Sequence, residues 1–209
     1  MKIRIPAMCL LAALFLCSCG FPSPCWEERR VLRNTKKSSV DIAYPQMSPP
    51  AQWEEINRLL ESYALCNLPP VEENGGTATM NYQVLRQAGY VSVLFEGSYY
   101  VQGTPHPTVT RRAVTFDPSG KSQIRLADVV KIDSAFVERV RQAARSHADR
   151  EIRWYFAGLS GQEWMQILLQ CDEGMDAPAY SIPEKAGVRL LLEVPHPLGD
   201  VAELEVPFP

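Results

Sequence analysis

One long apolar run stands out in this chain, Ala7–Leu16, and its ten residues are too few to cross a bilayer as a helix of the finished protein. Lys2 and Arg4 precede it, and Leu16-Cys17-Ser18-Cys19-Gly20 closes it. A charged start, an apolar centre and small residues before a cysteine form the pattern of a lipoprotein signal. The expectation is therefore removal of residues 1–18, acylation of Cys19, and a folded part confined to the residues beyond that cysteine.

That leaves 191 residues, enough for one domain with a sizeable core. Without Lys2 and Arg4 the remaining segment has 19 basic and 24 acidic residues, near −5, which gives no general attraction to nucleic acid. The absence of a second long apolar run excludes a polytopic membrane protein.

Cysteine usage depends on the anchor. Cys9 and Cys17 leave with the signal and Cys19 is modified, so Cys25, Cys66 and Cys171 remain. An envelope compartment is oxidising, and three thiols allow one disulfide. Cys66 with Cys171 is the expected pair because both come just after helix-like segments, while Cys25 is left free or replaces either partner. The spacings fit no zinc knuckle, and no metal site is expected.

From Cys19 to Ser39, Pro22, Pro24 and the cluster Arg29, Arg30, Arg33, Lys36 and Lys37 lack apolar periodicity and read as a tether, either on anionic headgroups or solvated. The domain is expected over 40–209. Val40–Pro45 alternates as a strand, and Ser48 and Pro49 introduce a helix with Trp53, Ile56, Leu60 and Tyr63 on one face. Thr77–Val101 is rich in strand formers and broken at Gln87-Ala88-Gly89, and Thr108–Phe116 is a further strand. Ile124 and Leu126 extend the pairing. A helix capped by Asp133 or Ser134 buries Phe136, Val140, Ala144 and His147, and the Ser160/Glu163 capping box opens another that buries Trp164, Ile167 and Leu168. Val188–Val194 and Val201–Phe208 close the chain as strands around His196–Asp200. The sum is α+β, a mainly antiparallel sheet packed with two to three helices.

The succession Tyr44-Pro45-Gln46, an amphipathic helix, Ser92–Glu96, Tyr100, Gly103-Thr104-Pro105-His106, Phe116-Asp117, Gly120-Lys121 and Leu126–Val129 resembles a known extracytoplasmic domain. It is the uncharacterised domain shared by lysozyme-binding anti-sigma factors of the RsiV type and the amino-terminal part of some peptidoglycan deacetylases. Tyr180-Ser181-Ile182 and Pro197-Leu198-Gly199-Asp200 extend the likeness to residues 40–208. The family loop usually reads Gly-Gly-Ala-His, so Gly103 and His106 carry over while Thr104 and Pro105 replace its middle. No sigma-binding segment or deacetylase domain is read in these residues, so the module is expected to act alone. The resemblance implies a sensory or binding module, with lysozyme as one candidate partner. By resemblance to Gram-negative lipoproteins, Gly20 after the anchor cysteine implies an outer-membrane location facing the periplasm.

Catalysis by the domain alone rests on His106, His147 and His196, the available neutral-pH bases. His106 is read as a loop hydrogen-bonder, a ligand contact, or half of a pair with Glu96 or Asp117. His147 reads as a partly buried, satisfied histidine and His196 as turn chemistry. No phosphate-cradling glycine motif or nucleophile elbow occurs, so no cofactor is expected. Tyr90, Phe95, Tyr99 and Tyr100 read as core first and as a sugar-stacking platform second. Arg111 and Arg112 alternate faces on one strand, so at least one is expected to be exposed. The functional expectation is a membrane-anchored envelope lipoprotein that binds a protein or a peptidoglycan-derived ligand without turnover, through a loop containing Gly103, Thr104 and His106. The alternatives are an envelope hydrolase acting on peptidoglycan and a structural lipoprotein bridging envelope components.

Overall fold

The computed structural model describes residues 25–66, 71–87, 89–120, 122–171, 173–174, 178–183 and 187–208. The signal segment and the Cys19 anchor lie outside them. The first sheet holds six strands in chain order, β1 (Cys25–Asn34), β2 (Ser38–Ser48), β3 (Gly76–Gln87), β4 (Tyr90–Val101), β5 (Thr108–Asp117) and β6 (Ser122–Gln123). All neighbours are antiparallel except β2 and β3. That parallel pair needs a crossover, which α1 (Glu54–Leu65) and the short α2 (Val71–Asn74) supply. The hairpin between β3 and β4 turns through Gly89, whose φ of +85° suits glycine.

The second sheet is an antiparallel meander of β7 (Ala179–Ser181), β8 (Gly187–Glu193) and β9 (Val201–Pro207). Between the two sheets in sequence come α3 (Leu126–Val129), α4 (Ser134–Arg145), α5 (Arg150–Ala157) and α6 (Gly161–Leu169). Ile56, Leu60 and Tyr63 of α1 pack on Val93, Phe95 and Val114 of the first sheet. Phe136, Val140, Ile152, Phe156, Trp164 and Leu168 of the later helices pack on Leu190, Leu192, Leu204 and Val206 of the second. Each such side chain, taken fully out of water, contributes about 1.5–3 kcal/mol.

The two halves meet through β4 and β5. Val91–Phe95 are all buried, because Val93 and Phe95 face α1 while Ser92 and Leu94 face the second sheet. A strand covered on both faces loses its apolar–polar alternation, which explains the unbroken apolar character of this stretch. Leu94 and Ala113 pack on Ala179 and Leu191 across the boundary. Beside them runs a hydrogen-bond chain. Ile182 N donates to Ser92 Oγ (2.9 Å), Ser92 Oγ lies 2.7 Å from Thr115 Oγ1, and Thr115 Oγ1 donates to Tyr180 O (3.3 Å). Ser92 and Thr115 are both 1% exposed.

The α+β class and the antiparallel majority stand as expected, but several local readings change. Cys25–Asn34, read as tether, is the edge strand β1, so the ordered domain begins well before Val40. Its sequence hides this because only Trp26 and Val31 are half-buried and the other eight residues are exposed. Arg30 is paired with Asp41 at 2.7 Å and Arg33 with Glu72 at 3.3 Å. Helix α1 starts at Glu54 after a 3-10 turn over Pro50–Gln52, and Ser48, the expected cap, ends β2 instead. Leu126 opens α3 rather than continuing a strand. Helix α5 is not legible in the sequence, because exposed Trp154 and Tyr155 interrupt its single buried pair, Ile152 and Phe156.

The expected Cys66–Cys171 disulfide is not formed. Cys66 closes α1 on the first sheet, with its Sγ donating to Tyr63 O at 3.7 Å, while Cys171 is buried in the helical core of the second. Coming after a helix is a shared local context, yet these helices pack on different sheets. Cys25 is exposed at the start of β1.

Helix caps carry the acid sensitivity of the second half. Asp133 Oδ1 accepts from Ala135 N and Phe136 N, Asp149 Oδ1 from Glu151 N and Ile152 N, and Glu163 closes the Ser160 capping box. Backbone amides, those of Phe136, Glu151 and Ser160 foremost, hold these three carboxyls below their ordinary range. A carboxyl depressed in the folded state stabilises it above the unfolded pKa, near 4, and that contribution disappears as pH falls through the folded value. Hydrogen exchange between pH 6 and pH 3 should therefore show α4–α6 losing protection before β3 and β4. A simultaneous loss would contradict it. At the sheet boundary, Ser92→Ala leaves Ile182 N without its buried acceptor and should lower unfolding free energy by roughly 1–3 kcal/mol in urea titration.

Candidate functional site

The loop between β4 and β5 begins as a turn in which Thr104 N and Thr104 Oγ1 both donate to Val101 O, at 3.0 and 2.8 Å. Gly103, Thr104, Pro105 and His106 are all exposed on it. The loop between β8 and β9 is a second tight structure, in which a 3-10 turn over His196–Leu198 ends at Gly199. Gly199 has φ +99° and Asp200 φ +69°, two successive left-handed residues that a glycine and an aspartate tolerate better than most.

This reversal turns the Asp200 carboxylate back toward both loops. Its Oδ1 lies 2.5 Å from His196 Nδ1, and its Oδ2 accepts the amide of Val109 at 2.7 Å, ninety-one residues away in sequence. The side chain is 12% exposed. His196 Nε2 in turn faces both ring nitrogens of His106, in contact with Nδ1 and 3.0 Å from Nε2. The imidazole centroids are 3.8 Å apart. Two loops, one from each sheet, are thereby joined by the series His106, His196, Asp200, Val109.

Of the expected site residues, Gly103, Thr104 and His106 do share one loop, and the His196–Asp200 turn lies against it. The expected carboxylate neighbours of His106 are engaged elsewhere. Glu96 pairs with Arg111 at 3.0 Å, and Asp117 accepts from Ser119 N and Oγ. Asp200 takes the place assigned to them, acting through His196. The one sequence signal for it is Gly-Asp after a proline-containing turn, and nothing local ties that turn to His106.

The remaining candidates are structural. His147 is half-buried past the end of α4, and its Nδ1 accepts from Asp149 N at 3.1 Å. Phe95 is fully buried and stacked on Tyr63, while Tyr90 and Tyr99 pack at the margins of the two cores. Arg112 donates to Cys66 O and Tyr63 O, satisfying carbonyls at the end of α1. Arg111 bridges Glu96 of the first sheet to Glu203 of the second, at 3.0 and 2.9 Å.

The chemistry open to the cluster is set by its proton inventory. Asp200 Oδ1 accepts from the Nδ1–H of His196, which leaves the lone pair of a neutral ring on Nε2. That is the arrangement of a general base, but acyl or glycosyl transfer also needs a nucleophile or a second acid. The Thr104 hydroxyl of the same loop is already committed to Val101 O. A concavity of about 590 Å³ lies between Tyr90, Lys131, Arg139 and Phe208, and none of the loop residues 103–107 or 196–200 lines it.

No family model matches the chain, and no curated protein does. Among solved structures it is similar to a DUF3298 family protein from Pseudomonas aeruginosa PAO1, with a TM-score of 0.53 and 16% identity over 88% of this chain and 89% of that one. A member of the same family from Bacteroides fragilis NCTC 9343 gives a TM-score of 0.56 and 13% identity over 88% and 90%. At such identities the likeness is one of fold, and it extends across nearly the whole described domain.

Replacing Asp200 with alanine removes the side-chain acceptor of Val109 N and the partner of His196 Nδ1. Amide exchange at Val109 should accelerate markedly while β3 and β4 stay protected. Unchanged exchange there would mean that the two loops are held by other contacts.

Proposed function

We propose that this chain is a membrane-anchored envelope lipoprotein whose domain binds a protein or a peptidoglycan-derived ligand without turnover, through the paired loops 103–107 and 196–200. The observation that carries the reading is the junction of those loops by His106, His196 and Asp200. It holds an exposed surface in one shape, which reduces the ordering cost of recognition. The anchor reading rests on the Lys2 to Gly20 pattern, and the fold neighbours of the DUF3298 family are consistent with the extracytoplasmic resemblance. Within that resemblance, lysozyme of the anti-sigma branch and glycan of the deacetylase branch are the two ligand classes. Gly20 supports an outer-membrane position facing the periplasm in a Gram-negative host.

The hydrolase alternative draws on the Asp200–His196 pair, which lacks an activated nucleophile among its described contacts. Two measurements test the proposal. Palmitate labelling should mark the wild-type chain and not Cys19→Ser; equal labelling removes the anchor. The immobilised protein, exposed to lysozyme and to solubilised peptidoglycan, should retain one of them chemically unchanged. Pro105→Arg, on the exposed loop, should weaken retention by roughly tenfold, since a central contact position contributes on the order of 1.4 kcal/mol or more. A glycan recovered with altered mass supports turnover instead, and retention indifferent to Pro105→Arg places binding elsewhere.

A further inference from the structure

The concavity of about 590 Å³ bounded by Tyr90, Lys131, Arg139 and Phe208 lies where four elements meet: the first residue of β4, the end of α3, the first turns of α4 and the residue after β9. Val130 is buried there, and Tyr90, Val129 and Phe208 are half-buried against the core of the second sheet. Apolar walls, a few polar groups and this volume are the features of a small-molecule site. Its polar group is Arg139. The Nε of that residue is buried with no hydrogen-bond acceptor, and its guanidinium carbon lies 5.4 Å from the centroid of the Phe136 ring. Three and four positions away on α4 are Ala135, Phe136, Gln142 and Ala143, so the helix offers Arg139 no carboxylate. The other two arginines of α4 share Glu138, Arg141 at 3.3 Å and Arg145 at 2.9 Å. Lys131 has Asp133 at 3.5 Å. Among the described residues the lining therefore keeps one net positive charge, on a guanidinium set in an apolar wall, where an unmet charged hydrogen bond is costly.

We propose that this concavity binds an apolar monocarboxylate, with a medium-chain fatty acid as its simplest form. The carboxylate sits on Arg139 and the chain runs along Val130, Tyr90 and Phe208. A guanidinium fork matches a carboxylate through two parallel hydrogen bonds. One carboxylate cancels the excess charge of the lining, whereas a dianionic phosphate replaces it with an excess of the opposite sign. The alkyl part gains by leaving water, which the half-buried Tyr90 and Phe208 and the buried Val130 allow. The occupant touches the first sheet through Tyr90 and the second half through α4 and Phe208, so uptake also ties the two halves together at a point away from the paired loops. This site stands independently of the ligand-binding function above: uptake here without envelope capture removes that function alone, and envelope capture without uptake removes this site alone.

The test is a calorimetric titration of the Cys19→Ser chain, which carries no acyl group to compete, with octanoate, decanoate and 1-decanol in detergent-free buffer. One saturable site per chain is expected for the acids. Decanoate should bind roughly tenfold tighter than octanoate, the ratio that two buried methylenes contribute. Arg139→Gln should weaken decanoate by roughly tenfold or more while leaving the weaker uptake of 1-decanol unchanged. Arg145→Gln, on the same helix but paired with Glu138, should leave both unchanged, which separates this site from a general attraction to a basic helix. Because the Arg139 Nε has no partner to lose, Arg139→Gln should keep the wild-type circular dichroism spectrum and urea midpoint. Amide chemical-shift changes on adding decanoate should centre on Tyr90, Val130 and Phe208 and spare residues 103–107. Absence of saturable uptake, equal affinity for decanoate and 1-decanol, or uptake that survives Arg139→Gln overturns the proposal.

Discussion

The Ser92 hydroxyl, 1% exposed and shared between two sheets, is the contact on which the arrangement of this molecule turns. Strand β4 is hydrogen-bonded to β3 and β5 within its own sheet, so its faces are left for packing. One face takes α1. The other must receive the second sheet with its backbone polar groups satisfied, because a buried unpaired amide costs more than a made hydrogen bond contributes. The chain Ile182 N, Ser92 Oγ, Thr115 Oγ1, Tyr180 O meets that requirement and sets β7 in one register against β4 and β5. Apolar contacts around it, Leu94 and Ala113 on Ala179 and Leu191, supply attraction without direction.

That docking sets the position of the loops. Once β7, β8 and β9 are placed, the β8–β9 turn comes beside the β4–β5 loop, and Asp200 reaches the Val109 amide. The succession Glu96, Arg111, Glu203, Arg189, Glu205 runs across the same boundary with separations of 2.9–3.5 Å. Partly exposed pairs of this kind contribute little free energy individually. Their value is directional, since a shifted sheet would put like charges opposite one another. The loop surface is thus held from beneath by a buried seam and from the side by charges.

Legibility in the sequence tracks how local each determinant is. The Gln87–Gly89 hairpin, the Ser160 capping box and the Asp133 cap are readable because all their partners lie within four residues. Edge strand β1 is not, since only Trp26 and Val31 of its ten residues are half-buried and they carry no apolar alternation. Helix α5 fails for the converse reason, with Trp154 and Tyr155 exposed beside its buried residues. The Cys66–Cys171 pairing misleads because similar flanking helices say nothing about which sheet each one covers.

The same division runs through the candidate site. By itself the sequence determined that the 103–107 and 196–200 segments are turns, since proline fixes one backbone angle while glycine and aspartate admit left-handed ones, each acting one residue at a time. It also determined the α+β class, through periodicities that each element carries within itself. Only the tertiary structure decided that His106 meets His196, ninety residues on, and that Asp200 rather than Glu96 or Asp117 is the carboxylate of the cluster. Those contacts depend on the register between two sheets, a relation among side chains that no single segment encodes.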